Sequence, residues 1–113
     1  MLIAKQGELW YANLSPAKGS EQDGFRPVLI ISGNLLNEHA PIVVCCPLTS
    51  KIKNYKGNVV LEPNEENCLN VSSEIMTYHI RSISKERLKE KIGIVPMQVV
   101  EQIKKSLQEI LTY

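Results

Sequence analysis

The sequence lacks a hydrophobic run long enough to cross a membrane. A membrane helix needs about 18 or more consecutive apolar residues, and no stretch of this 113-residue chain approaches that length. The chain also lacks an opening pattern of a charged head, an apolar core and a small-residue cleavage site, so no secretory leader is predicted. We therefore expect a cytoplasmic protein that has no membrane partner.

The sequence also lacks cysteines at the spacing that a disulfide framework needs. Its three cysteines are an odd number, and Cys45 and Cys46 are adjacent within an apolar stretch. This spacing matches neither paired disulfides nor a CxxC metal site. His39 has no second histidine or cysteine at ligand spacing. The sequence predicts reduced thiols that behave as small apolar residues, with no metal and no cofactor.

Net charge is the third feature that is nearly absent. Thirteen Lys and Arg residues stand against twelve Asp and Glu residues, which leaves a formal charge of +1. This balance excludes a protein-wide basic field that would attract nucleic acid, so any polyanion site must be local. Lys51, Lys53 and Lys56 provide such a local excess without an intervening acid, although a lysine run is more often only a solvated loop.

The most informative segment that is present is the polar loop over residues 19–27, which has a glycine near each end. Pro27 fixes its own φ and favours an extended conformation for Arg26, at the point where an apolar run begins. A guanidinium offers a phosphate several donors in a rigid fork. Phosphate chemistry at Arg26 is therefore the first hypothesis, and a solvated arginine or one paired with Glu8 or Glu21 is the alternative.

Short runs of β-branched and alternating residues predict a mainly β fold. The predicted strands occupy residues 7–14, 28–31, 42–46, 58–62, 73–83 and 91–95. The second and third of these are continuous apolar runs, so we expect both to be central strands buried on two faces. Residues 33–41 between them are predicted as a polar connection.

One longer helix is predicted near the end of the chain. From Met97 to Leu111 the apolar residues fall at helical spacing, and Ser84 is predicted to cap a single helical turn over residues 85–88. Short strands with one C-terminal helix predict a single domain over residues 1–113. Its expected architecture is a small, strongly bent antiparallel barrel.

Several short motifs occur together in one order along the chain. They are Gly7-Glu8-Leu9-Trp10, Leu14-Ser15-Pro16, Gly19-Ser20-Glu21-Gln22, Arg26-Pro27-Val28-Leu29-Ile30, Pro47-Leu48-Thr49-Ser50 and the run from Ile80 to Leu88. In this combination the chain resembles the MazF/PemK toxins of type II toxin–antitoxin systems. The resemblance implies an SH3-like barrel of the CcdB/PemK-like toxin fold.

The resemblance also implies an activity. Members of this family are metal-independent, sequence-specific endoribonucleases, or mRNA interferases, that cut single-stranded RNA. The ribose 2′-hydroxyl attacks its own phosphate, which leaves a 2′,3′-cyclic phosphate and a 5′-hydroxyl. The family further implies a homodimer, and a cognate antitoxin whose disordered tail occupies the RNA groove.

Carried over residue by residue, the resemblance makes Arg26 the catalytic arginine and Thr49 the catalytic threonine. Such donors suit a reaction in which negative charge grows on the phosphate oxygens. Further RNA-binding positions are predicted around these two residues: Ser20, Glu21, Gln22, Phe25, Ser50, Lys51, Lys53, Tyr78 and His79. Glu21 is a candidate base, and orientation of Arg26 by its carboxylate is the alternative.

The chain departs from the family pattern just before Ile80. Many relatives have an acidic residue followed by glutamine there, whereas this chain has Tyr78 and His79. His79 offers an imidazole that titrates near neutral pH, and Tyr78 offers a ring that can stack on an unpaired base. The alternative is that these are alternate residues of one strand, so that one packs in the core and the other is merely exposed.

Two other functions stay open at the level of sequence. One is a non-catalytic binding module, such as a gyrase-poisoning toxin of the CcdB type, because a fold does not fix a function. The other is a degenerate toxin that binds RNA or its antitoxin without cutting, which Tyr78 and His79 suggest. The contexts of Arg26 and Thr49 favour cleavage, because a gyrase binder needs neither loop.

Overall fold

The computed structural model describes residues 3–14 and 24–113. Over this part of the chain the elements are β1 (Glu8–Asn13), β2 (Phe25–Ile30), α1 (Asn34–His39), β3 (Ile42–Thr49), β4 (Val59–Leu61), β5 (Ser73–Ile75), β6 (Arg81–Ser84), β7 (Leu88–Ile94) and α2 (Met97–Thr112). Short 3₁₀ helices occupy Thr77–His79 and Lys85–Arg87. Ser84 caps the second of these by accepting a hydrogen bond from the Glu86 amide, as predicted.

The strands form one curled antiparallel sheet. Its order is β4-β5-β3-β2-β1-β7, and β6 also pairs with β3. The sheet bends into a half-barrel, and α2 packs on one side of it through Val100 and Ile103. This arrangement confirms the predicted mainly β fold with a C-terminal helix. No helix within residues 3–14 and 24–113 is both long and apolar enough to span a bilayer.

The central strands bury both of their faces, as their continuous apolar runs predict. Val28 and Ile30 of β2 pack with Trp10 in one core cluster. Leu29, between them in the chain, points the other way and packs with Ile103 in a second cluster. Because successive side chains of a strand alternate between faces, an uninterrupted apolar run supplies both clusters at once.

The prediction of one strand over residues 73–83 is wrong. Leu48 pairs with Ile75, but Cys45 pairs with Arg81, so extra residues are inserted between the two pairings and form the 3₁₀ helix Thr77–His79. The Met76 amide donates to the Pro47 carbonyl over 2.8 Å, and Pro47 has no amide hydrogen with which to continue the ladder. A proline inside a sheet is found at edges and irregularities for this reason.

The polar connection over residues 33–41 is in fact partly helical, because it contains α1. The Asn37 side chain is fully buried and bonds to Ser32, donating to its carbonyl over 2.9 Å. The Val44 amide in turn donates to the Ser32 hydroxyl over 3.0 Å. The buried side chain of α1 is the polar Asn37, so the segment shows no apolar stripe, and the Val44 amide that completes the contact lies twelve positions from Ser32. A local pattern therefore did not predict this helix.

Residues 62–72 form the loop between β4 and β5, and this loop packs against β7 at Gly93. A β-carbon at position 93 would collide with the backbone carbonyl oxygens of Glu66 and Asn67, so only glycine lets the two backbones approach this closely. The Ile94 amide donates to the Glu66 carbonyl over 2.9 Å. This contact holds the next residues of the loop, 68–71, beside the cleft described below.

Candidate active site

A cleft of about 1140 Å³ opens between β2, the end of β3, β5 and the loops beside them. Every predicted site residue that the structure describes lines it: Phe25, Arg26, Thr49, Ser50, Lys51, Lys53, Tyr78 and His79. The other three, Ser20, Glu21 and Gln22, lie outside the described residues, and so does the predicted role of Glu21 as a base. Residues from separate connections of the chain therefore meet in one cavity.

Arg26 is the second residue of β2, where Pro27 holds the backbone extended. Its guanidinium Nη1 donates to the Leu48 carbonyl over 3.1 Å. Its Nε is buried and has no hydrogen-bond partner among the described residues. One nitrogen of the guanidinium is thus bonded to the end of β3. The buried Nε can still donate a hydrogen bond, and a buried polar group rarely leaves such capacity unused.

Thr49 is the last residue of β3. Val28 of β2 pairs with Pro47 of β3. Because the strands are antiparallel, two positions back along β2 and two positions forward along β3 lead to Arg26 and Thr49. The Thr49 Oγ1 accepts a hydrogen bond from the Lys51 amide over 3.1 Å, which leaves the hydroxyl hydrogen available to donate. Two donors from adjoining strands therefore face the same cleft.

The loop between β3 and β4 is held by Glu74, a residue that no motif of the sequence indicated. The Glu74 side chain is 1% exposed and accepts from the amides of Lys53, Asn54 and Tyr55 over 2.7, 2.9 and 3.0 Å. The Asn58 Nδ2 donates to it over 2.8 Å. Burial alone would raise its pKa, but hydrogen bonds from Asn58 and from the three amides outweigh that effect and hold the pKa of Glu74 below its ordinary value.

Tyr78 and His79 both reach the cleft from the 3₁₀ helix. Because no strand forms there, the strict alternation that would send one into the core and the other into solvent does not apply. The Tyr78 hydroxyl donates to the Lys56 carbonyl over 2.9 Å, while about half of the side chain is exposed. His79 is half-buried. The ring of Tyr78 therefore supports the loop and also presents a surface to the cleft.

The opposite wall is formed by β7 and β1, where a second buried carboxylate orients Lys91. The Lys91 Nζ lies 3.1 Å from the Glu8 Oε2, and the indole of Trp10 donates to the Glu8 Oε1 over 2.9 Å. Burial raises the pKa of Glu8, but hydrogen bonds from Trp10, the Lys5 amide and Lys91, together with the Lys91 charge, leave it lowered. Trp10 is thus a buried core residue.

An aromatic pair marks the rim of the cleft. Phe25 is 59% exposed, and its ring lies 6.4 Å from that of Tyr11 between centroids. Phe25 therefore places an exposed apolar ring beside Arg26 at the rim of the cleft. The pair gives the cleft an apolar surface next to its cationic one.

The cysteines differ among themselves. Cys45 and Cys46 are buried, and burial raises the pKa of each thiol to about 12, so both act as small apolar residues, as predicted. Cys68 is also a free thiol, but it is exposed and lines the cleft. Over residues 3–14 and 24–113, no group of three or more His, Cys, Asp or Glu side chains has the arrangement of a metal site.

With this geometry established, comparison with known proteins identifies the family. Residues 5–111 match the PemK-like, MazF-like toxin of type II toxin–antitoxin systems. The chain belongs to this family. This PemK/MazF-family chain is 32% identical over 108 residues to the endoribonuclease EndoA of Bacillus subtilis strain 168, a match that covers 95% of this chain and 93% of EndoA.

Solved structures agree with the family assignment. A MazF protein from Deinococcus radiodurans superposes on the PemK/MazF-family chain with a TM-score of 0.86, at 30% identity and over the full length of both chains. A MazE–MazF complex from the same organism gives a TM-score of 0.78 at 27% identity and covers 97% of each chain. The half-barrel with its terminal helix is therefore the toxin fold predicted from the sequence motifs.

The two buried carboxylates predict an acid-sensitive stability. A carboxylate whose folded pKa lies below its ordinary value stabilises the fold fully above the unfolded pKa, and loses that contribution as the pH falls through the folded pKa. At pH 7 we expect Glu74→Gln to lower the free energy of unfolding by about 2 kcal/mol, because the new amide leaves loop amides unpaired. The variant should then lose less stability than the parent between pH 7 and pH 3.

Urea unfolding at a series of pH values measures both effects. The exposed carboxylate of Glu38 provides the control, because Glu38→Gln removes a charge without removing a buried acceptor. A Glu74→Gln curve parallel to that of the parent at every pH would contradict the lowered pKa of Glu74.

Proposed function

We propose that this PemK/MazF-family protein is a toxin that cleaves single-stranded RNA in the cleft, without a metal ion. The observation that carries the proposal is the meeting of Arg26 and Thr49 in one cavity, since they come from different strands and both retain donor capacity. The name of EndoA, an endoribonuclease that the chain resembles over most of its length, supports the reaction class.

In the proposed reaction the ribose 2′-oxygen attacks the adjacent phosphorus. A bond forms between this oxygen and phosphorus, and the bond from phosphorus to the 5′-oxygen breaks, which gives a 2′,3′-cyclic phosphate and a 5′-hydroxyl. A base takes the 2′-proton and an acid returns a proton to the leaving 5′-oxygen. The Arg26 guanidinium and the Thr49 hydroxyl donate to the non-bridging oxygens, where negative charge increases most in the transition state.

The remaining predicted residues would bind the strand on either side of the reacting phosphate. Lys51 and Lys53 supply positive charge for neighbouring phosphates. Phe25 and Tyr78 expose rings on which unpaired bases can stack. Charge and stacking together are the usual means of holding a single strand, and this cleft offers both.

We further propose one toxin domain over residues 1–113 that acts in the cytoplasm as a homodimer with a cognate antitoxin. The family match over residues 5–111 supports the single domain. The MazE–MazF complex of the Deinococcus radiodurans relative supports a protein partner of the antitoxin kind. A disordered antitoxin tail would compete with RNA for the cleft, because a flexible segment can wrap such a surface and order on binding.

Loss of either proposed phosphate donor should abolish most of the activity. We expect Arg26→Ala and Thr49→Ala each to lower kcat by about a hundredfold or more, equivalent to about 3 kcal/mol of transition-state stabilisation. The assay is cleavage of a long mixed RNA in EDTA, followed by sequencing of the fragment 5′ ends. The same ends identify the recognised sequence and the 5′-hydroxyl chemistry.

Thr49→Ser is the matched control, because it keeps the hydroxyl and should retain most of the activity. Near-normal rates in both alanine variants would refute the assigned roles. Intact RNA together with trapped gyrase–DNA complexes in a parallel incubation would instead favour the binding-module function.

Among the described residues that line the cleft, His79 is the one whose imidazole can transfer a proton. If it transfers a proton in the rate-limiting step, the pH–rate profile of the parent protein should contain a bend that depends on this side chain. In His79→Gln the bend should disappear and kcat should fall by about a hundredfold. Identical pH–rate profiles for parent and variant would remove His79 from the chemistry.

The proposed homodimer predicts a molecular mass, and the proposed antitoxin predicts competition with RNA. Light scattering should give twice the 12.7 kDa chain mass for the free protein. A synthetic peptide of the cognate antitoxin tail should raise the KM for RNA in proportion to its concentration. Unchanged cleavage at a saturating peptide concentration would show that the two ligands do not share the cleft.

A further inference from the structure

The loop from Lys51 to Asn58 has a shape that depends on contacts from outside it. Asn54 adopts a positive φ of 57°, and Gly57 one of 94°. At Gly57 there is no room for a side chain, because a β-carbon would collide with the Tyr78 ring. A loop that contains such conformations keeps one structure only when its surroundings enforce it.

The segment from Glu74 to Tyr78 provides those surroundings. Besides the four hydrogen bonds that Glu74 accepts, the Thr77 hydroxyl donates to the Gly57 carbonyl over 2.7 Å, and the Thr77 amide donates to the Asn58 Oδ1 over 3.0 Å. The Tyr78 hydroxyl holds the Lys56 carbonyl. The loop is therefore attached along most of its length to β5 and the 3₁₀ helix.

Glu74 is the centre of this arrangement. Three consecutive backbone amides converge on its carboxylate, an arrangement in which turn amides bind an anion. The side chain exposes only 1% of its surface, so its interactions are made with the loop and not with a ligand. The loop carries Lys51 and Lys53 into the cleft, and the direction of both lysines follows from the loop conformation.

We propose that Glu74 is a positioning residue for RNA binding, which fixes the lysine loop in the conformation that meets the strand beside the reacting phosphate. This role rests on the proposed function. It assigns to Glu74 an effect on KM and on sequence preference, while Arg26 and Thr49 remain the catalytic residues.

The sign of the expected effect separates this role from simple electrostatics. Glu74 carries a negative charge in the wall of a cleft for a polyanion, so neutralising it without moving anything would strengthen RNA binding. If the carboxylate instead organises the loop, its neutralisation weakens binding despite the removed repulsion. Should the released loop adopt its present conformation a tenth of the time, the apparent Kd for RNA rises about tenfold.

The experiment compares the parent protein with Glu74→Gln, which preserves the volume of the side chain. An oligonucleotide containing the sequence mapped by 5′-end sequencing gives kcat and KM, and the same oligonucleotide with a 2′-deoxy residue at the cleaved position gives Kd. Hydrogen exchange reports on the amides of residues 53–55. We expect KM and Kd to rise about tenfold, kcat to change less than about threefold, and exchange at these amides to accelerate.

Two further variants separate positioning from general loss of stability. Asn37→Ala removes a fully buried polar side chain that does not line the cleft, so it should lower Tm while leaving KM unchanged. Tyr78→Phe keeps the exposed ring and removes only the hydroxyl bond to Lys56, so it should raise KM in the same direction as Glu74→Gln, by a smaller factor.

The outcomes distinguish this role from the proposed function. If the parent cleaves RNA and Glu74→Gln has an unchanged or lower KM, the positioning role is wrong and the nuclease assignment stands. An equal rise of KM in Asn37→Ala would also overturn it, because the effect would then follow stability alone. If the parent fails to cleave any RNA, the proposed function falls, and the positioning role falls with it.

Discussion

The site depends on the pairing of one strand, β3, with three others. Its first half pairs with β6, its middle with β2, and its end with β5. Pro47 lies near the point where these partners change, and it cannot donate an amide hydrogen to either neighbour. The ladder is interrupted there, and the neighbouring chain turns through a 3₁₀ helix that carries Tyr78 and His79 into the cleft. Because of this interruption, β2, β5 and the 3₁₀ helix all lie around the end of β3 and line the cleft.

The second constraint is electrostatic. In a nearly neutral chain, a site for a polyanion is favoured when carboxylates near that site are compensated. Glu74 lines the cleft and Glu8 lies behind it, and both are buried and hydrogen-bonded, the first by loop amides and the second by Trp10 and Lys91. Glu90 also lines the cleft and is exposed. Glu74 and Glu8 stabilise the fold through these contacts, while Lys51 and Lys53 are exposed. The local excess of positive charge is created by this arrangement more than by composition.

Most of the fold was predictable because its strands and its long helix carry strong local patterns. The run over residues 28–31 identified β2 and its burial on two faces, and the helical stripe located α2 to within one residue of its end. The errors fall where a distant residue decides the local conformation. The strand over residues 73–83 breaks at a proline about thirty positions earlier in the chain. The contact of Asn37 with Ser32 that anchors α1 is completed by the Val44 amide, twelve positions from Ser32.

The sequence by itself determined the family and the curled β fold, and it predicted the two proposed donors Arg26 and Thr49, because these depend on short motifs and on the periodicity of apolar residues. Tertiary structure alone decided the role of Glu74, the conformation of the lysine loop and the joint presence of Tyr78 and His79 in the cleft. The physical reason is the range of the interactions. Glu74 bonds to amides 19 to 21 positions away, and nothing in the residues around it specifies which donors the folded chain will bring within reach.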